Sequence, residues 1–325
     1  MKKIISILLA LAILAALAAC GYQAKLEAEN GVPQPVAIHG MLTRIEYGGN
    51  TAYLFGTMHA GQPDWFPLHP IAEQALARTD VVVLEIDLDE ITNMSAEFMA
   101  EMAQWQTLPF GQTLEDVLPA HIFEPFRANF ESYRKLGLTY ERVRHLTPAA
   151  LLLTLQTLLL QLGEDAVDFE LSVDSYIADF AHENGLPIIG LETAADQMRH
   201  LFDIPLDIQA YALVDFPSLS TLMQAEEVVG LAQAYASQEV AAILAVLEAD
   251  LANTADNPYQ QHFHHVHFHL RCHLYADEIA RLLRETEEPT TFFVAIGIAH
   301  LIGGSFGQVP AILEGKGFTL TPLWD

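Results

Sequence analysis

Two short apolar runs, one toward each end of the chain, close on the same four-residue pattern. Ala52-Tyr53-Leu54-Phe55 runs into Gly56-Thr57-Met58-His59, and Phe292-Phe293-Val294-Ala295-Ile296 runs into Gly297-Ile298-Ala299-His300, 241 residues further on. Apolar runs of this length, bounded by glycine, read as buried strands. Between them Val81-Val82-Val83-Leu84 ends at Glu85, and Ile188-Ile189-Gly190-Leu191 ends at Glu192. Ligands bind α/β sheets at the carboxyl ends of the strands, so four strands that stop on His or Glu point to one shared edge. A chain that builds this edge must bring both of its ends into one sheet. Glycine ahead of each His is expected to let the backbone turn sharply and approach a ligand closely.

The rest of the pattern agrees with that constraint. Met41–Tyr47 and Thr51–Gly56 flank Gly48-Gly49-Asn50, a hairpin signal. Pro70–Arg78 reads as a short helix before the strand Asp80–Glu85. Residues 93–186 hold several amphipathic helices, and Pro187–Gly190 is a short buried strand. Helices resume to about Glu285, with Asn257-Pro258 as N-cap and first-turn residue, and Thr290–Ile296 and Phe318–Pro322 close the chain as strands. The expected class is α/β (α+β): a central mixed sheet formed by both chain ends, with a large helical insertion. No linker divides residues 41–325, which read as one domain.

The N-terminus stands apart. Lys2 and Lys3 precede the run Ile4–Ala19, in which Ser6 is the one polar residue. The run falls short of the roughly 20 residues that span a bilayer. Leu17-Ala18-Ala19-Cys20, followed by Gly21, resembles the lipobox of bacterial lipoproteins. Residues 1–19 are therefore expected to be a signal peptide, Cys20 to be acylated, and residues 20–40 to form a tether. Gly21 supplies no acidic retention signal, which places the expected anchor on the periplasmic side of the outer membrane in a Gram-negative cell. An ordinary secretory segment or a transmembrane anchor is the alternative.

Charge narrows the partners. The chain carries 42 Asp and Glu against 15 Lys and Arg, a net charge of −27. Loss of residues 1–19 would take two lysines and move it to −29. Nucleic-acid binding needs a cationic footprint, so no nucleic-acid partner is expected. Anionic headgroups repel such a body, so membrane association would rest on the acyl chains. Apolar residues at 51% leave ample material for a core. Of two cysteines only Cys272 would remain after lipidation, and no intrachain disulfide would then be possible.

His59, His300, Glu85 and Glu192 form a donor set suited to a divalent metal such as Zn, Mn, Fe or Co. Bound water activated by that ion would be the nucleophile of a hydrolysis, or one Glu would act as general base. Singly, each motif is weak, since an isolated Gly-x-x-His or strand-end Glu is commonly structural. Their recurrence at equivalent places carries the inference.

At this point the chain resembles the TraB/GumN family, which includes PrgY-like and Tiki-like proteins. The residues that carry the resemblance are Tyr53–His59, Val82–Asp87, Gly190-Leu191-Glu192-Thr193 with Gln197, and Val294–Gly303. It covers roughly Leu42 to Leu323. The resemblance implies a fold like the erythromycin-esterase and ChaN-like group. From the Tiki branch it implies metal-dependent peptide hydrolysis through His59, His300 and Glu85, with Glu192 as a further acidic candidate. It also implies a role for Arg271, whose fork could stabilise an oxyanion or a substrate carboxylate. Relatives often follow this Arg with Asn, where this chain has Cys272.

Six histidines fall between His262 and His273. On a helical wheel, His264 and His267 lie on the side of Arg271, together with Phe263, Phe268, Leu270, Leu274, Ile279 and Leu282. That side is expected to be buried, with His264 or His267 near the site. His262, His265, His269 and His273 are expected to face outward, as an accessory metal site or a solvated, pH-responsive stripe. The functional expectation is a lipid-anchored, metal-dependent hydrolase of a peptide or a small amide or ester. The alternatives are a non-catalytic envelope protein that sequesters a peptide, and a metal-binding envelope protein. A cysteine hydrolase fits poorly, because Cys272 is expected mid-helix without a glycine elbow.

Overall fold

The computed structural model describes residues 36–160, 171–219 and 227–324. The signal segment, Cys20 and most of the expected tether lie outside them. Strand β1 (Thr43–Tyr47) and β2 (Asn50–Thr57) pair antiparallel from Thr43↔Leu54 to Tyr47↔Asn50. Gly48 and Gly49 make the turn with φ of 60° and 99°, left-handed values that a two-residue hairpin loop needs and glycine adopts without strain. Asn50 belongs to the strand rather than the turn. Its buried side chain donates to the carbonyls of Leu283 (3.0 Å) and Thr286 (2.8 Å) and accepts from the Thr290 amide (2.9 Å). The hairpin is thereby tied to the C-terminal part of the chain.

The sheet is completed by β3 (Val81–Leu84), β4 (Ile188–Gly190), β5 (Thr291–Gly297) and β6 (Leu320–Pro322), in the order β4-β3-β5-β2-β1-β6. β4, β3, β5 and β2 are mutually parallel; β1 pairs antiparallel with both β2 and β6, so it is the one strand of the six that runs the other way. The expected mixed sheet with both chain ends in it is therefore the observed one. The four strands singled out by their terminal His or Glu are the four contiguous parallel strands. Register sets Thr57 beside Gly297, so the two Gly-x-x-His segments leave the sheet side by side.

Four helices matter for the site: α1 (Val173–Asn184), α2 (Ala194–Phe202), α3 (Pro258–His264) and α4 (Arg271–Glu285). Ser172, Thr193 and Asn257 cap the first three through side-chain oxygens that accept early backbone amides. Alternate strand residues pack on opposite faces. Phe55, Val82, Leu84, Phe293 and Ala295 meet Val173, Ile177 and Ala181 of α1. Leu54, Val83, Val294 and Ile296 meet Cys272, Tyr275, Ile279 and Leu283 of α4. Burial on both faces is why the strands read as unbroken apolar runs. The insertion has a core of its own, built around Phe123, Phe126, Phe130, Tyr133 and Phe216.

Two expectations change. Residues 36–40 are part of the body, not tether: Ile38 is fully buried, its carbonyl accepts from the His69 amide, and the Gly40 carbonyl accepts from Gly56. Leu270 and Leu274 are 49% and 37% exposed, not buried. The buried face of α4 centres on Tyr275, Ile279 and Leu283, with Arg271 at its edge. Between α3 and α4, residues His265–Leu270 form a wider π-helical turn, which a uniform helical wheel does not describe. Among the described residues no helix is long and apolar enough to cross a membrane.

Candidate functional site

The strand ends gather two connected groups of side chains. β3 delivers Glu85 directly, and the Glu192 amide donates to the Glu85 carbonyl (2.9 Å), which sets the two acidic residues next to each other. Arg271, from the start of α4, lies between their carboxylates. Its Nη2 is 2.7 Å from Glu85 Oε2 and 2.6 Å from Glu192 Oε1, and its Nε donates to the same Glu192 oxygen at 2.8 Å. Tyr275, one turn along α4, donates to Glu192 Oε1 (2.7 Å) and lies 3.2 Å from Glu85 Oε2, with its hydroxyl also against Arg271. Gln197 on α2 reaches both carboxylates at 3.4 Å. His267 Nδ1 accepts from Arg271 Nη1 at 3.2 Å, which leaves the proton on Nε2, a buried atom with no hydrogen-bond partner. Glu192 Oε2 faces His200 Nδ1 at 3.4 Å without a hydrogen bond.

The second group forms around Gly297. Glu85 Oε1 accepts the Gly297 amide at 2.7 Å and stands 3.7 Å from His300 Nε2. A Cβ built on Gly297 would lie 3.1 Å from Glu85 Oε1, 3.6 Å from His300 Cδ2 and 3.8 Å from His59 Nε2. Three of the sequence candidates thus meet over one glycine. The ring nitrogens that face away are held. His59 Nδ1 is 2.9 Å from Asp174 Oδ2, and the other Asp174 oxygen accepts from Thr57 Oγ1 at 2.7 Å. His300 Nδ1 is 3.3 Å from Cys272 Sγ, whose thiol donates to the Phe306 carbonyl at 3.6 Å. The Cys272 contact holds His300 Nδ1, and His300 Nε2 turns toward Glu85.

The motif glycines serve close approach, not a sharp turn; neither has positive φ. A side chain on Gly56 would run into Ile298 and reach 3.2 Å from the Gly40 carbonyl oxygen.

Charge is distributed unevenly. Burial pushes the Glu85 carboxyl up, but Arg271, the neighbouring histidines and the Gly297 amide outweigh it and hold Glu85 well below the usual carboxylate range. Glu192 is also lowered, burial being opposed by His200, Arg271 and Tyr275. Burial, helped by Arg271, pushes His300 down to about 4 and His267 to about 3. The Asp174 charge pulls His59 up to about 9. The His59 side chain is 64% exposed, so solvent screening moderates that pull. Two buried carboxylates against one guanidinium, beside a neutral His300, leave the cluster one negative charge in excess.

Among the described residues, no three His, Cys, Asp or Glu side chains stand close enough to hold a metal as they are. The chemistry of the donors around Gly297 nevertheless suits one. Two imidazoles present Nε2 there while Nδ1 is bonded elsewhere, one of them to a carboxylate, the support that metal-ligating histidines usually have. Glu192 is held apart from the imidazoles by Arg271 and Tyr275. The donor nitrogens of Arg271 already have acceptors within the protein. Sequence reasoning missed Asp174, Thr57 and Tyr275. Asp174 sits in the first turn of a Ser-capped helix, where an acidic residue is ordinary, so no local signal marks it.

Fold and site together define an α/β protein with a His, Glu and Arg cluster on the carboxyl edge of four parallel strands. The sequence profile of the TraB/PrgY/gumN family matches residues 41–322, and the chain belongs to that family. It is also similar to Metalloprotease TIKI1 of Danio rerio, 31% identical over 86 residues, which is 26% of this chain and 16% of that protein. The chain thus aligns with about a sixth of the length of that curated relative.

Proposed function

We propose that the protein is a metal-dependent hydrolase acting on peptides or on small amides or esters. The observation that carries this reading is the meeting of His59 Nε2, His300 and Glu85 Oε1 over Gly297, at the ends of three neighbouring parallel strands. The similarity to a protein named as a metalloprotease supports it. His59, His300 and Glu85 would hold the ion, and the excess negative charge of the cluster favours a cation there. A bound divalent ion supplies Lewis acidity toward a carbonyl and acidifies water. The chain's own part is to prepare the donors. Asp174 keeps Nδ1–H of His59 in place while Nε2 gives up its proton to become a ligand. Arg271 and Tyr275 keep Glu85 ionised and fixed, and Glu192 anchors Arg271; these are positioning roles. Glu85, held so far below the carboxylate range, is a poor general base.

A second reading rests on the Asp174–His59 bond and on Glu85 already bonding through both oxygens: His59 in its unprotonated form, favoured as pH rises toward about 9, acts as general base with Asp174 behind it, and no metal is required.

Metal content and peptide-library cleavage, compared between the purified wild type, His59→Ala and His300→Ala, separate the two. About one equivalent of ion, lost in both variants, with chelator-sensitive cleavage is the expected result. Cleavage that survives chelation but fails in His59→Ala would establish the second reading. Bound metal without turnover would mark a peptide-sequestering protein. The Leu17-Ala18-Ala19-Cys20 pattern supports attachment to the cell envelope through acylated Cys20. Under that reading Cys20→Ser moves the chain from the membrane to the soluble fraction.

A further inference from the structure

The helical stretch that sends His267, Arg271 and Tyr275 inward carries a second set of histidines outward, and the centre makes no use of them. His265, His269 and His273 are exposed. The rings of His265 and His269 stack with centroids 5.3 Å apart and planes 23° apart; those of His269 and His273 meet edge to face at 5.1 Å and 76°. Among the described residues, none of the three forms an ion pair with a carboxylate.

These separations have a chemical meaning. With metal–nitrogen bonds of about 2.1 Å and a tetrahedral angle, two imidazoles on one ion place their centroids about 5 Å apart. Both consecutive pairs already have that spacing on one continuous helical stretch, so rotation of the exposed rings would turn nitrogens onto a shared ion. Three rings in a row do not converge on a point, which agrees with the absence of any three-ligand group among the described residues. Each pair offers two nitrogens, and water fills the remaining positions. The net charge of −27 raises the local concentration of cations around such a site.

We propose that the His265–His269–His273 ladder is a surface site for one borderline divalent ion such as Zn²⁺, separate from the cluster over Gly297. His269 belongs to both pairs and is its essential member. The ion would bridge either the π-helical segment His265–Leu270 internally or that segment to α4. Because such an ion binds the folded helix and not the extended chain, it stabilises the fold.

Calorimetric titration of the full chain with Zn²⁺ tests this, with His269→Ala and His59→Ala as the two variants. The ladder site predicts that His269→Ala binds one equivalent less than wild type, while His59→Ala retains that equivalent. Zn²⁺ should raise the melting temperature of wild type and of His59→Ala by an increment that His269→Ala lacks. Position 269 is exposed, so an unchanged far-UV circular dichroism spectrum confirms that the variant is folded. Identical Zn²⁺ stoichiometry in wild type and His269→Ala, or no Zn²⁺ binding by His59→Ala, would overturn the proposal. Neither result bears on whether the Gly297 cluster is catalytic.

Discussion

Asp174 is the residue through which the surroundings act most directly on His59. It lies 115 positions away in sequence, arrives on α1, and bonds both His59 and the Thr57 of the same motif. Asp174→Asn removes the charge and keeps the shape. The His59 pKa should then fall from about 9 toward the ordinary 6.5, as followed by NMR titration of the ring. In the metal-dependent reading, affinity or turnover should drop about 10- to 100-fold, the usual effect of losing a carboxylate behind a ligating histidine. An unmoved His59 titration would show that the pair does not persist in solution. Glu85, His59 and His300 were legible because each closes an apolar run. Tyr275 was not, since a tyrosine on a helix face has no sequence mark distinguishing a core ring from one whose hydroxyl bonds two carboxylates.

At the level of elements, strand ends proved easier to read than helix faces. β2, β3, β4 and β5 were legible to within one residue at each end, because a strand buried on both faces must be apolar throughout. The histidine-rich helix was read with one turn geometry, while the structure uses two. Its outward row was right for His265, His269 and His273, and wrong for the side that carries Leu270 and Leu274. The glycines of the two motifs were expected to give both a sharp turn and a close approach, and the close approach is what the structure uses. Gly56→Ala is therefore expected to destabilise the fold by about 1–3 kcal/mol in urea unfolding, the range for overpacking a filled site. Gly315→Ala makes a fair control, because nothing lies within 4 Å of the added methyl. Equal stability of the two variants would remove close approach as the reason for Gly56.

For the molecule as a whole, buried ionisable groups tie stability to pH. His267 has a native pKa of about 3, depressed first by burial and then by Arg271, against 6.5 in an unfolded chain. Above pH 6.5 neither state takes up that proton and the contribution is complete. As pH falls below 6.5 the unfolded chain binds the proton and the native one refuses it, down to about pH 3. Stability should decline across that window by about 1.4 kcal/mol per pH unit for this one group. Denaturant unfolding at pH 7.5, 6 and 5 measures the decline, and His267→Gln should flatten it. A wild-type profile no steeper than the variant's would mean that His267 titrates normally.

The sequence by itself determined that both chain ends enter one sheet, that the intervening chain is mostly helical, and which strands end on His or Glu. These follow from local rules: apolar run length, glycine boundaries and capping residues act within a few positions. Tertiary structure decided which of those ends are neighbours, that Arg271 stands between Glu85 and Glu192, and that Asp174 stands behind His59. Such partners are set by strand order and by the packing of α1 and α4 across the sheet. The partners themselves stand 79 to 186 residues apart in sequence, where no short pattern reaches.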